Sequence, residues 1–422
     1  MQRYQQQYLI GLCLIVNCTS VIASGVMIDT QNAAGIGYAF AGAGAVTSDA
    51  SAAILSPARM VQLAEGWHVT AALGYADASL QYQDHSTLPV NPLIPVGQSQ
   101  TFDQNTPLAT VHAVYHQQEW AVGASVTPLY GNNLTWDRNF IGRYQGVKTD
   151  VKGINLAMSA AYALSTQWSI GAGFDVLDLQ ATLTRQVPIV TPQAGYITDA
   201  EAVLSGQDRA WGGHVGVLWS PTPQTQIALN YRSQIDLDLD GTLQVNSPYL
   251  QLNKDVQAQI SMPQSVDLAA AYQWSPTLTL MGNLAWFDWS VLPEINAKHQ
   301  QQTVYQETLD FKDGWRAGLG ALYQYNDRLQ LRTGIAYDRS IVKNPQSRTV
   351  RFPDTHRTWL SVGMGYQLSK TSSVDVGLSY LVAPEVEIER RTLLNNQATA
   401  QVMTGTFQTT ATIVGVQYNH QF

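Results

Sequence analysis

The 422-residue sequence predicts an all-β fold: a transmembrane antiparallel β-barrel of about fourteen strands, its lumen plugged by an N-terminal hatch. Three observations predict it. Charged residues are only 13 % of the chain, while 20 Tyr and 11 Trp supply rings of the kind that anchor at membrane interfaces. Beyond the first 25 residues no run of 18 apolar residues occurs, so spanning helices are not expected. From Trp67 onward, apolar residues recur with period two, as in strands with one lipid face and one lumen face.

Residues 1–23 are expected to be a signal peptide. Arg3 supplies the positive start, Tyr8 to Ala23 the mostly apolar stretch, and Val21 and Ala23 small side chains before a cut at Ser24. Cys13 and Cys18 both fall inside it, without the small-residue pattern of a lipoprotein signal. The mature chain is therefore expected to carry no lipid anchor, disulfide or thiolate metal site. Losing Arg3 makes the formal charge of −8 one unit more negative, which argues against a nucleic-acid partner.

Residues 24–65 are expected to form the hatch and 66–422 the barrel. The core of the hatch is Ala34 to Met60, built mainly of Gly, Ala and Ser. Alone, such a run reads equally as a flexible linker. Followed by a barrel, it reads as a compact plug whose small side chains fit inside the wall, with Gly35, Gly37, Gly42 and Gly44 making tight turns.

Strand text follows. In 374–380, Val376, Leu378 and Tyr380 alternate with Asp375, Gly377 and Ser379. In 330–337, Leu331, Thr333, Ile335 and Tyr337 share one face. Farther back, Phe311, Trp315, Ala317, Leu319, Ala321 and Tyr323 are placed on an outward face, opposite Lys312, Gly314, Arg316, Gly318 and Gly320. Short turns are expected at 117–118, 165–166, 221–223, 275–276, 326–327 and 369–372. Longer polar connections are expected near 84–105, 187–207, 241–262, 297–310, 340–355 and 391–402. Such alternation of short and long connections is that of periplasmic turns and extracellular loops. The chain ends on Val414, Val416, Tyr418, His420 and Phe422, an alternating strand with a terminal aromatic, which resembles the signal read by the barrel assembly machinery.

These segments together resemble the FadL family of outer-membrane long-chain fatty-acid transporters. Gly35–Ile36–Gly37 through Gly42, then Asp49 and Ser56–Pro57–Ala58, resemble the family's Gly-rich opening, acidic residue and Asn-Pro-Ala element, with Ser56 standing where the family usually has Asn. Phe311–Lys312–Asp313–Gly314–Trp315–Arg316, Arg332–Thr333–Gly334, Pro353–Asp354, Arg357–Thr358–Trp359 and Val374–Asp375–Val376–Gly377 follow in the family's order. The resemblance implies capture of a fatty acid at extracellular loops, an interior acyl pocket, and sideways release through a kink in the third strand. Matching positions place Ala181, Leu183 and the apolar Val26 in the acyl pocket. They make Arg185 and Lys312 the carboxylate ligands, and put the kink at Pro128 and Gly131. Pro128 lacks a ladder donor and Gly131 bends easily, which agrees with a break there.

No catalytic motif is found. His112 and His116 share a strand face but would lie about 13 Å apart, too far for one metal ion. A passive transporter for long-chain fatty acids, acting as a monomer and without cofactor, is the reading that follows. The alternatives are an uptake channel for monoaromatic or aliphatic hydrocarbons, which needs no cationic ligands, a general porin or adhesin, and an outer-membrane lipase with a dispersed Ser/His pair.

Overall fold

The computed structural model describes residues 27–422 apart from 29, 86, 91–93, 95–96, 98, 192–194 and 395–396; the expected signal peptide and Val26 lie outside the described residues. Among the described residues, nineteen antiparallel strand segments close into one sheet. The first, β1 (Gly66–Asp84), pairs with β2 (Gln100–Gln117) on one side and with the last, β19 (Gln397–Gln421), on the other. Round the wall follow β3 (Trp120–Thr135), β4 (Lys148–Ala163), β5 (Trp168–Thr191) and β6 (Gly195–Thr222). Five spanning strands are interrupted. These are β7 (Thr225–Arg232) with β8 (Ile235–Asn246), β9 (Gln251–Met262) with β10 (Ser265–Ser275), and β11 (Leu278–Phe287) with β12 (Glu294–His299). The others are β13 (Gln302–Thr308) with β14 (Gly314–Gln324) and β17 (Ser372–Val382) with β18 (Val386–Leu394). With β15 (Leu329–Arg339) and β16 (Arg357–Gln367), and each broken strand counted once, the wall has fourteen spanning strands.

The outer face carries the predicted apolar band between two aromatic belts. Trp67, Trp120, Trp168 and Trp219 point outward at the end with the short turns; Phe174, Trp211 and Trp315 do so nearer the other end. Along β14, Trp315, Leu319 and Tyr323 are exposed while Arg316 is buried inside. Eight residues at about 3.3 Å each, tilted, span about 20 Å, which suits a hydrocarbon layer crossed by strands. Phe311 departs from the expectation. It is buried inside the barrel at 3 % exposure, because β13 and β14 are separated by residues 309–313 and the alternation does not run through the interruption.

The six short turns fall where the sequence places them, but four of the six long connections do not. Stretches 187–207, 241–262, 297–310 and 391–402 are largely strand, paired as hairpins out to Thr191↔Gly195, Asn246↔Gln251, His299↔Gln302 and Leu394↔Gln397. Beyond the lipid, water covers their outer faces, so polar residues stand where lipid-facing strands would be apolar. The connections without strands are 85–99, 136–147 and 340–356, and the second of these was not anticipated. It folds inward, burying Trp136, Phe140 and Ile141 beside Val350 of 340–356 and Phe407 of β19, and Tyr144 beside Val90 and Ile94, so that the two connections roof the lumen.

Inside the wall lie α1 (Ala33–Ile36), α2 (Ala43–Val46), α3 (Ala52–Leu55) and a 3-10 helix, Pro57–Gln62. Ala39, Ala41, Ala45, Ala50, Ala52, Ala53 and Ala58 are wholly inaccessible. The Gly/Ala/Ser run is a packed plug and not a linker.

Candidate functional site

Above the belt of Phe174 and Trp211, the inward faces of β5, β6, β8, β9 and β12 surround a narrow, almost wholly apolar cavity. Strand alternation builds it. Leu179, Ala181 and Leu183 face inward from β5, Leu239 from β8, and Ala258, Ile260 and Met262 from β9. Trp289, Leu292 and Phe311 come from strand interruptions, and Phe352 comes down from the roof.

Arg185 lies two residues past Leu183 on the same face of β5. Its guanidinium stands 4.9 Å from the centre of the Tyr305 ring, and its buried Nε has no hydrogen-bond partner. Among the described residues it makes no ion pair. Its neighbour Arg351 is committed elsewhere: Nε donates to Glu307 at 3.0 Å, and the terminal nitrogens donate to the Lys148 and Thr184 carbonyls at 2.6 and 2.8 Å. Tyr305 Oη also donates to Glu307, at 2.6 Å. Arg351, Glu307 and Tyr305 were missed by sequence reasoning, since they lie in stretches legible there only as polar connections.

Lys312 was expected on a regular strand face and instead occupies the interruption before β14. It follows the cavity-lining Phe311, and its backbone N–H donates to Ile341 O at 2.8 Å. The charges that reach it are Arg339, Arg348 and Asp354, a different set from those around Arg185. The two cations each adjoin a cavity residue, but no contact among the described residues joins them.

The hatch is seated by polar clamps. Gln417 Oε1 accepts from the N–H groups of Ala33 and Ala34 at 3.0 and 3.3 Å, and its Nε2 donates to Asp49 at 2.9 Å. The other Asp49 oxygen accepts from Ser51 N at 2.8 Å. Asn32 Oδ1 caps α1 through Gly35 N at 2.6 Å. Gly42 has φ +73°, and a Cβ on Gly37 would lie 2.9 Å from Gly363 Cα in the wall. Pro57 wedges against Gly171 and Gly216, where side chains would collide with it. Ser56 is fully buried, and its hydroxyl has no hydrogen-bond partner among the described residues.

A second clamp was not foreseen. Asp175 accepts from Arg232, His214 Nδ1 and Asn155 at 2.7, 2.8 and 2.7 Å. His214 Nε2 stands 2.8 Å from Ser159 Oγ, which lies 2.7 Å from the hatch carbonyl of Ala53. The order Ser159–His214–Asp175 is that of a hydrolytic triad, but here the hydroxyl is turned to the hatch. His112 and His116 serve separate partners, Ser125 and Gln31 for the first and Gln118 for the second. No cluster of three metal-ligating groups occurs among the described residues.

The wall is open beside the hatch. The β2–β3 ladder runs from Gln117↔Trp120 to Val111↔Val126 and stops, while residues 100–110 of β2 remain paired to β1 alone. Pro128 sits at a register shift that leaves Leu129 unmatched against β4; Gly131 pairs regularly with Lys152, so the irregularity is centred on Leu129 and not on Gly131. Hatch residues fill the opening. Met27 bridges Tyr130, and Ile28 N donates to Leu129 O at 2.9 Å. Gln31 Nε2 donates to Pro128 O at 3.4 Å, and Thr110 Oγ1 donates to Gln31 O at 3.0 Å.

Residues 14–422 match the family described as "Outer membrane protein transport protein (OMPP1/FadL/TodX)". The chain is 28 % identical over 410 residues to the long-chain fatty acid transport protein of Salmonella typhi, covering 90 % of this chain and 92 % of that one. It is 25 % identical over 463 residues to outer membrane protein P1 of Haemophilus influenzae, with both chains fully covered. Its fold is similar to a Pseudomonas aeruginosa FadL homologue, with TM-score 0.86, 22 % identity and coverage of 94 % and 100 %. It is also similar to the Pseudomonas putida toluene transporter TodX, with TM-score 0.69, 17 % identity and coverage of 93 % and 99 %. A closed fourteen-stranded wall with an internal hatch, matched along nearly its whole length, makes this chain a member of the OMPP1/FadL/TodX family of transport proteins in the bacterial outer membrane.

Proposed function

We propose that the protein is a passive carrier of long-chain fatty acids, with residues 24–65 as its hatch and 66–422 as its barrel. The observation that carries the reading is Arg185, two residues past the cavity-lining Leu183, whose guanidinium meets a π face and, among the described residues, makes no ion pair. A cation without a direct ion pair near an apolar cavity suits an amphiphile with an anionic head. The apolar wall supplies most of the affinity, and a charge-assisted hydrogen bond worth about 1.5–3 kcal/mol orients the head. Lys312, beyond Phe311, adds a second positive charge on the roof side. The names of the Salmonella and other curated relatives support the same substrate class.

From the cavity, the ligand passes toward the seam between β2 and β3, where Met27, Ile28 and Gln31 yield, and leaves sideways into the outer leaflet. Backbone left unpaired in lipid costs several kcal/mol per group, so the bonds from Ile28 and Gln31 to β3 keep the resting seam closed. The deciding experiment is mass spectrometry of lipids that co-purify with the protein, compared with its Arg185→Ala variant. Fatty acids retained by the first and lost from the second are expected. Retention of uncharged hydrocarbons by both would replace the fatty-acid reading.

A further inference from the structure

The wall has a second thin place, between β9 and β12. These neighbours share only two partner pairs, Ala258↔Ala297 and Gln257↔Lys298, whereas β9 is paired along its whole length to β8. The next backbone bond down this seam is Asp288 N to Gln264 O at 3.0 Å. Between the two points, the 3-10 turn Trp289–Val291 replaces strand, and side chains instead of ladder bonds close the wall.

Space lies on both sides of it. The apolar cavity reaches Ala258, Ile260 and Leu292 from within, and an outer groove reaches the same three residues from outside. The seam sits just beyond Trp286 and Trp315, which face each other in the upper aromatic belt, so it opens at the level of lipid headgroups and not of acyl chains. Water is present there, which explains how unpaired strand edges are tolerated.

The rim of the groove is acidic. Asp238, Asp240 and Glu294 line it against a single Lys298. Gln259 Nε2 and Gln257 Nε2 hold the first two carboxylates at 2.9 and 3.0 Å. A carboxylate brought to this rim meets like charge, and an uncharged molecule does not.

We propose that the β9–β12 seam is a side port that admits uncharged hydrophobic molecules, of alkane or monoaromatic type, from the headgroup layer into the apolar cavity. It rests on the reading of that cavity as the ligand pocket. Carboxylates reach the cavity by another route, and the acidic rim separates the two classes before either meets Arg185.

The test is initial uptake of radiolabelled tetradecane and oleate by cells carrying the protein in the outer membrane. Gln259→Cys places a thiol on the outer groove of a mature chain that otherwise has none. A bulky, membrane-impermeant thiol reagent then blocks the port, and a reductant reopens it. Blocking is expected to cut tetradecane uptake at least fivefold and oleate uptake less than twofold, with recovery on reduction. Gln257→Cys, on the same groove but outside the cavity lining and checked for folding by its heat-modifiable mobility, should reproduce the split under the same reagent. Loss of neither ligand, or equal loss of both, overturns the port. Equilibrium binding of oleate to the unlabelled purified protein is measured in parallel. Its absence would sink the pocket reading itself, a result distinct from an unchanged labelled-to-unlabelled uptake ratio.

Discussion

Arg185 holds its guanidinium 4.9 Å above the ring of Tyr305 and, among the described residues, touches no acid, although Glu307 is taken up by Arg351 and Tyr305 close by. Glu307 therefore pairs directly with the roof arginine, and among the described residues the strand arginine has no ion pair of its own. Arg185→Ala should weaken oleate binding roughly ten- to hundredfold, the equivalent of about 1.5–3 kcal/mol, and leave alkane binding within about twofold. Lys312→Ala should cost less, because Arg339 and Arg348 leave further positive charge beside it and Asp354 already offsets part of its own. Equal losses for acid and alkane, read by titration calorimetry, would remove the headgroup role.

Gln417 is the wall residue on which the hatch most depends. One fully buried amide joins two N–H groups of α1 to Asp49. Gln417→Ala leaves those groups unpaired in a dry interior, at about 1–3 kcal/mol each. The expected outcome is an assembled barrel with a loosened plug, seen in planar bilayers as raised small-ion conductance. Deleting residues 24–65 should raise it further. Conductance unchanged in both variants would refute the plug.

Much of this was legible in the sequence because lipid imposes a strict code. A strand such as β14 must show Trp315, Leu319 and Tyr323 outward, and the short turns must fall between such strands. Where lipid ends, the code ends. The outer parts of β5, β6, β8 and β9 have water on their outer faces and read as loops, although they line the apolar cavity. Interruptions were also invisible: Phe311 and Lys312 sit in a break that alternation cannot show, and Leu129 rather than Gly131 proved to be the unmatched residue of β3. Ser159, Asp175 and His214 lie on three different strands with no spacing to connect them, and only the closed wall brings them together under Ala53.

At the β2–β3 seam, Pro128 has no N–H to offer a ladder, and the Leu129 carbonyl accepts from Ile28 of the hatch segment. Pro128→Val with Gly131→Val should favour continuation of the ladder and exclude the hatch segment. Fatty-acid uptake by cells should then fall about fivefold or more, while binding to purified protein changes less than twofold. Uptake that survives the change would exclude exit at this seam.

His356 closes the roof connection 340–356 through its neutral form. Its Nδ1 accepts from Ser340 N at 3.1 Å and its ring stacks on Tyr337, centroids 5.9 Å apart. Burial, followed by the charge of Lys312, pushes its pKa below the usual histidine value; Asp354 opposes this, and Arg339 and Arg348 add to it. The folded state thus binds the proton less readily than the unfolded chain. The contribution to stability is present above about pH 6.5, the value for an unperturbed histidine, and is lost as pH falls through the lower folded value. Protonation also removes the acceptor that Ser340 uses. Hydrogen exchange in 340–356 should accelerate on moving from pH 7.5 to pH 4.5, after correction for intrinsic rates, with little change in β14 or β15. In His356→Gln, whose side chain does not titrate, that pH dependence should disappear. Acceleration that persists in the variant would assign the opening to another group, with Asp354, which accepts from Ser340 and Ile341, the next to replace.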